Sequence, residues 1–215
     1  EEHNYDLVVV GGGPAGSSAA FTAAKNGIKV ALIEKENSIA ETVRTSGVTW
    51  IESVKEFGIP DDCYNPIKNF SFVSPNNEVT IKDSIPTAAV LDVRKTYRWL
   101  AHEAEGEGAD IFLKININEV IKNENNDIIG VSGTGPNGKI TFHSKIVIDA
   151  TGFTSTISKA MGFVTQWKRF GAGAEYEATV ENSDPDTWWL MVGQEYTPAG
   201  YAWIFPLGNN IVRIG

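Results

Sequence analysis

Tyr5-Asp6-Leu7-Val8-Val9-Val10-Gly11-Gly12-Gly13-Pro14-Ala15-Gly16 carries the pattern of a strand that stops abruptly and turns into a helix. Its first half is a near-continuous apolar run, as a parallel strand buried on both faces requires. Three glycines end the run. The small residues from Pro14 to Asn26 then predict a helix, with Pro14 at a tolerated first-turn position and Asn26-Gly27 as the stop. Ile28-Lys29-Val30-Ala31-Leu32-Ile33 predicts a second strand, closing at Glu34. Within this βαβ unit Gly11, Gly13 and Gly16 satisfy G-x-G-x-x-G. The first glycine makes a tight turn, the second admits a pyrophosphate close to the backbone, and the third lets helix and strand pack closely. The helix start, with Pro14 and Ala15, offers unpaired N–H groups and partial positive charge to that anion. Glu34 lies about 20 residues on, where a carboxylate accepts hydrogen bonds from an adenosine ribose. The same carboxylate would repel a 2′-phosphate, so the pattern points to NAD or FAD rather than NADP.

Composition narrows the remaining classes. The chain has 215 residues, 42% of them apolar and 21% charged, with a net charge of −9. That suits one large domain, or a domain and a half at roughly 150 residues each. The acidic balance disfavours nucleic acid as a partner, because such binding needs a basic face. No apolar stretch approaches the ~18 residues of a membrane span, and no secretory signal is visible. A lone Cys63 and the scattered His3, His102 and His143 argue against a disulfide framework or a metal site. These features predict a cytoplasmic protein acting on small molecules. Glu1 is not an initiator methionine and Gly215 closes a predicted strand, so the chain reads as a fragment.

Further along, Trp50 to Phe57 predicts a short helix, and Phe70–Val73 with Glu78–Ile81 a hairpin around Pro75-Asn76-Asn77. Ala88 to Val93 reads as extended, Arg94 to Glu105 as helical, and Gly108 to Leu113 as a strand. Segments 115–122, 128–132 and 139–142 are separated by strong turn chemistry and form three antiparallel strands. Ile146-Val147-Ile148 predicts a separate buried strand running into Asp149-Ala150-Thr151-Gly152. Residues 170–215 read as at least four long strands.

Arg94 at a helix start, the small-residue turn at Gly152 and the three-stranded insertion favour FAD. Here the sequence resembles the glutathione-reductase-type FAD fold in its p-hydroxybenzoate-hydroxylase-like branch. Tyr201-Ala202-Trp203-Ile204-Phe205-Pro206, followed by eight residues and Gly215, resembles the Y-x-W-x-F-P-x₈-G-x-G signature of geranylgeranyl reductases. Those flavoenzymes saturate C=C bonds of isoprenoid chains. Alternation along a strand puts Tyr201, Trp203 and Phe205 on one face, able to line an apolar slot. Burial at about 25 cal/mol/Å² would make such a wall the main source of affinity for a polyprenyl chain.

The resemblance implies an α/β fold: a Rossmann-type FAD-binding domain with a three-stranded antiparallel insertion, plus a mostly antiparallel β-sheet substrate domain. Residues 1–163 would form the discontinuous FAD-binding domain, lacking its C-terminal part. Residues 164–215 would begin the substrate domain, with 66–93 contributing. Carried over position by position, Gly11, Gly13, Pro14, Ala15 and Gly16 hold pyrophosphate, while Glu34 and Lys35 meet the ribose. Thr45, Ser46 and Val48 border the flavin, Arg94 touches phosphate, Ile117 offers backbone to the adenine, and Gly152 returns the chain to the flavin. Tyr201, Trp203, Phe205 and Pro206 meet substrate.

Many archaeal members carry a Cys-Gly pair about a dozen residues after the ribose acid, and here Ser46 stands where that Cys would be. Cys63 lies too far along to substitute. The family's later Gly-Asp motif is absent, so 215 residues would hold FAD incompletely. No proton donor stands out among Tyr201, Ser46 and water. The implied partners are an isoprenoid lipid and an electron donor such as NAD(P)H or ferredoxin. The lipid implies peripheral membrane contact, apolar and local, beside Trp188-Trp189. Two other readings stand beside this one. One is a flavin monooxygenase or halogenase, with Lys82 as the halogenase lysine; the other is a truncated flavin-fold module without activity.

Overall fold

The computed structural model describes residues 1–163 and 167–215. The domain boundary expected at 163/164 abuts residues 164–166, which lie outside the described residues. The elements run β1 (Glu2–Val10), α1 (Pro14–Lys25), β2 (Val30–Ile33), β3 (Val48–Trp50), α2 (Ile51–Glu56), β4 (Tyr64–Ile67), β5 (Asn69–Ser74), β6 (Asn77–Lys82) and β7 (Ala88–Leu91). They continue with α3 (Val93–Gly106), β8 (Asp110–Phe112), β9 (Asn116–Lys122), β10 (Ile128–Gly135), β11 (Gly138–Asp149), α4 (Thr156–Ala160), β12 (Tyr176–Thr179), β13 (Thr187–Met191), β14 (Ala202–Gly208) and β15 (Ile211–Ile214). The chain divides into two compact units, Glu1–Val43 with Tyr97–Arg169, and Arg44–Thr96 with Phe170–Gly215.

The first unit is built on a six-stranded sheet in the order β8-β2-β1-β11-β10-β9. The strands from β8 to β11 run parallel, while β10 and β9 add on antiparallel. The apolar run of β1 is buried on both sides. Leu7 and Val9 pack with Ala20, Ala23 and Ala24 of α1, Ala104 of α3, and Val30 and Leu32 of β2. Val8 and Val10 pack with Ile33, Ile117, Val131, Ile140 and Phe142 on the other side. Each such Val or Leu contributes about 1.5–3 kcal/mol on burial. Small residues in α1 serve this packing: Ala20, Ala23 and Ala24 recur at helical spacing and let the helix lie close to the sheet.

Two predicted strands prove to be one. Segments 139–142 and 146–148 belong to the twelve-residue β11, which pairs with β1 from Glu2↔Thr141 to Val10↔Asp149. Ser144 and Lys145 are followed by no glycine or proline to force a turn, and the longer β1 supplies a ladder partner across them. Ile146, predicted inside a buried strand, is 61% exposed.

The second unit holds a six-stranded sheet, β12-β15-β14-β13-β5-β6, and a three-stranded sheet, β3-β7-β4. The β5–β6 hairpin matches the reading of its sequence. The C-terminal strands number four, as expected, but run only four to seven residues each. The two sheets share a core of Ile67, Phe70, Ala88, Val90, Trp188 and Phe205.

Candidate cofactor site

Register places the ends of three parallel strands at one level. Val10 of β1 lies opposite Ile33 of β2 and Asp149 of β11. The chain therefore leaves the sheet together at Gly11, Glu34 and Ala150, outside the carboxyl ends of adjacent strands, where open α/β sheets bind ligands. Three segments, the last more than a hundred residues from the first two, meet there because the ladder is in register.

The glycines of the loop do different work. Gly11 has φ +110, and a Cβ there would collide with the Ala150 carbonyl. At Gly16 a Cβ would collide with the Gly11 carbonyl, so this glycine lets α1 seat against the loop. Gly13 is unlike both: nothing lies within 4 Å of a Cβ built on it. It is the N-cap of α1, with no side-chain cap, and Pro14 follows in the first turn. Backbone at Gly13 thus faces space that a side chain would fill, with Pro14 and Ala15 exposed beside it, an opening of the kind a diphosphate needs at a helix start.

Glu34 supports the same loop. Its carboxylate accepts the Gly12 N–H at 2.8 Å through Oε2 and the Glu36 N–H at 2.9 Å through Oε1. Each oxygen keeps a further lone pair, so the group can hold its loop and still accept two hydroxyls. Lys35 beside it is exposed. Arg98, which the sequence reading passed over, donates to the Ile39 carbonyl at 3.2 Å and to Ser38 Oγ at 3.4 Å. Ile39 in turn is buried over Gly12, where a Cβ would collide with its Cδ1. No local pattern in the sequence links Arg98 to residues so far upstream.

At the end of β11, Asp149 organises the turn that carries Gly152. Its carboxylate accepts the Thr151 hydroxyl at 2.6 Å, the Thr151 N–H at 3.1 Å and the Ser158 N–H at 2.7 Å. Burial alone would raise its pKa. The hydrogen bonds from Thr151 and Ser158 outweigh burial and hold the carboxyl below its usual range. A folded-state pKa below the unfolded one stabilises the protein above the unfolded value, and that contribution disappears as pH falls through the folded value. Asp149→Asn should therefore cost about 1–2 kcal/mol at pH 7. The difference from wild type should vanish in acid, once wild-type Asp149 is itself protonated. Urea unfolding of both proteins at neutral and acid pH checks this.

Ile117 is buried on β9, the edge strand of its sheet, so among the described residues one side of that backbone has no strand neighbour. Gly152 is exposed, with φ +64.

The remaining predicted residues belong to the second unit. Thr45 is exposed, while Ser46 and Val48 are half-buried on either side of the buried Gly47. Val48 opens β3 opposite Val90. Arg94 is ion-paired at 3.4 Å with Glu177. Cys63 is buried, and burial first, then Asp62, pushes its thiol pKa up. Lys82 ends β6, whose six residues are all exposed.

Tyr201, Trp203 and Phe205 do form a row, with ring centroids 5.8 Å and 6.1 Å apart. The row runs from surface to core: Tyr201 is 56% exposed and Phe205 only 4%. Phe205 continues it to Trp188 at 5.4 Å, and Trp188 to Phe70 at 4.8 Å. Trp188 is thus a core residue, and the expected apolar docking patch beside Trp188-Trp189 loses that member. Pro206 is buried next to a register shift in the β14–β15 ladder, and its carbonyl accepts Asn65 Nδ2. The spacing to Gly215 also has a cause. The Trp203 N–H donates to the Gly215 carbonyl at 2.7 Å and the Gly215 N–H to the Trp203 carbonyl at 3.0 Å. A Cβ at Gly215 would strike the Trp203 indole, so the hairpin register demands glycine opposite the tryptophan.

A family model described as FAD dependent oxidoreductase matches residues 6–180 of this sequence. The chain belongs to the FAD-dependent oxidoreductase family. A second model, the geranylgeranyl reductase catalytic domain, matches residues 171–215 of this family member, the stretch that holds the aromatic row. Among curated relatives, a digeranylgeranylglycerophospholipid reductase of Methanocaldococcus jannaschii is 35% identical over 96% of this chain and 54% of its own length. Another, from Methanococcoides burtonii, is 32% identical over 98% of this chain and 53% of its own. The chain therefore spans about half the length of the curated relatives it matches. Among solved structures, a geranylgeranyl bacteriochlorophyll reductase-like protein of Thermoplasma acidophilum has a TM-score of 0.84 at 30% identity, over 100% of this chain and 56% of its own. A flavin-dependent brominase has a TM-score of 0.73 at 20% identity over 98% of this chain and 56% of its own, a likeness of fold alone. The resemblance to geranylgeranyl reductases read from Tyr201 to Gly215 is borne out.

Proposed function

We propose that this flavoprotein reduces C=C bonds in the isoprenoid chains of lipids, of the kind carried by digeranylgeranylglycerophospholipid. The observation that carries the reading is the aromatic row of Tyr201, Trp203 and Phe205, with Gly215 fitted against the Trp203 indole, in a chain whose relatives are named for that reduction. We read the first unit as a Rossmann-type FAD-binding domain, with β9 and β10 as its antiparallel insertion, and the second as the start of a substrate-binding sheet. The open backbone at Gly13 and the spare lone pairs of Glu34 suit the diphosphate and ribose of FAD. In this reading Gly11, Gly13, Pro14, Ala15, Gly16, Glu34, Lys35 and Ile117 hold the adenine-linked half, Gly152 returns the chain to the flavin, and Arg94 contributes charge to phosphate once released from Glu177. Thr45, Ser46 and Val48 border the flavin.

Held by these residues, reduced FAD would supply the hydride for one alkene carbon, and a proton would have to reach the other. Tyr201 and Trp203 orient the apolar chain and exclude water from it, and the buried Phe205 anchors their row to the core. Reducing equivalents come from a donor such as NAD(P)H or ferredoxin. Among the described residues no helix is long and apolar enough to cross a membrane. Lipid would be met at a surface through local apolar contact, against the repulsion of anionic headgroups by a net charge of −9.

Anaerobic incubation of flavin-loaded protein with a chemical reductant and digeranylgeranyl lipid tests the reading. Mass spectrometry should find one H₂ gained per reduced double bond. Products that appear only when oxygen is admitted, with oxygen or halogen inserted, would overturn it in favour of a monooxygenase or halogenase.

A further inference from the structure

Arg213 heads the largest fully buried side chains among the described residues, at 1% exposure. It stands on β15 opposite Phe205 of β14 on one side and Glu177 of β12 on the other. A guanidinium removed from water is tolerated only where its charge and its donors are matched. Nη2 of Arg213 donates to Glu177 Oε1 at 2.8 Å, which supplies the countercharge. Nη1 donates to the Ser46 carbonyl at 2.7 Å, across 167 residues of sequence, and more weakly to the Leu91 carbonyl at 3.4 Å. Hydrogen bonding from Arg213, opposed by burial, holds the Glu177 carboxyl below its usual range, so the countercharge persists at neutral pH.

The neighbouring glycine is shaped around this contact. Gly47 has φ +77, and a Cβ there would lie 2.9 Å from Arg213 Nη1 and 2.8 Å from the Leu91 carbonyl. The Gly47 carbonyl accepts the Leu91 N–H at 2.8 Å, so the turn is tied on both sides of the Ser46–Gly47 peptide. In a trans peptide the C=O and N–H point in opposite directions. With the Ser46 carbonyl on the guanidinium, the Gly47 N–H faces away from it. That N–H has a long hydrogen bond of 3.4 Å to Thr45 Oγ1, leaving it able to serve a better acceptor.

We propose that Arg213, neutralised by Glu177, is a positioning residue that locks the Ser46–Gly47 peptide and presents the Gly47 N–H as a donor to the flavin. The proposal rests on the reading above, in which Thr45, Ser46 and Val48 border that ring. A fixed donor favours the electron-rich reduced flavin over the oxidised one.

The test uses flavin-loaded Arg213→Met, Arg213→Lys, and the double variant Arg213→Met with Glu177→Gln, which removes both charges of the Arg213–Glu177 pair if the single variant folds poorly. Amide exchange over residues 44–48 should accelerate at least tenfold in both Met variants. FAD should prefer its reduced form about tenfold less, a fall of about 30 mV in midpoint potential. Arg213→Lys, which keeps the charge, should recover part of both effects. A folded Met variant with wild-type exchange and potential overturns the proposal. So does faster exchange with an unmoved potential, because the clamp would then be structural only. If wild type fails to reduce isoprenoid lipid while these shifts appear, the substrate reading falls and the clamp stands.

Discussion

Gly13→Val should weaken FAD binding severely and leave the fold intact. The structure separates this position from its neighbours in the motif. Ala at Gly11 or Gly16 would drive a Cβ into backbone carbonyls, so loss of cofactor there would be indistinguishable from loss of structure. At Gly13 the protein offers a Cβ no contact within 4 Å, and φ −73 with ψ −176 is extended backbone that valine adopts freely. Valine is a poorer N-cap than glycine, a cost of about 1 kcal/mol or less. The effect on the cofactor should be far larger. Two γ-methyls over the start of α1 would keep a diphosphate from the N–H groups, and each charge-assisted hydrogen bond so lost is worth about 1.5–3 kcal/mol. Affinity should fall about a hundredfold or more, since each factor of ten is about 1.4 kcal/mol. Flavin absorbance of the purified variant, with its thermal unfolding, checks both halves. A yellow, fully loaded variant would remove the diphosphate from this loop.

Glu34→Arg should be nearly as damaging, for two reasons that a second variant separates. The carboxylate holds the loop through the N–H groups of Gly12 and Glu36, and its spare lone pairs suit the ribose hydroxyls. Arginine supplies no acceptor at all and places five donors beside two backbone donors. FAD affinity should fall about a hundredfold, from two or more hydrogen bonds to a charged acceptor lost at about 1.5 kcal/mol each. Glu34→Gln keeps one acceptor oxygen and should lose only about tenfold. Isothermal titration with FAD ranks the three proteins. Equal affinity for wild type and Glu34→Arg would show that the ribose is held elsewhere.

The strand–loop–helix–strand unit of the candidate cofactor site is legible in the sequence because its signals are local. The apolar run of β1, the glycine spacing and the acid after β2 each express a requirement that a few consecutive residues satisfy alone. The signature from Tyr201 to Gly215 was legible as a pattern, though its cause was not. The need for glycine at 215 appears only when β14 and β15 are seen in register, with the Trp203 ring against that position. Period-two alternation correctly put three rings on one face. It carries no information on depth, and Phe205 proves buried where Tyr201 is exposed.

What stayed hidden depends on long-range partners. The division into 139–142 and 146–148 failed because residues 143–145 have no strong preference of their own, and pairing with β1 carries the strand through them. Arg213 sits in an apolar strand with nothing nearby to mark it, because its partners come from residues 46, 91 and 177. Backbone conformation and facing direction are written in short stretches, since they follow from sterics and periodicity over a few residues. Burial, hydrogen-bond partners and the pairing of a charge depend on which distant strands become neighbours, and that is settled when the sheets assemble.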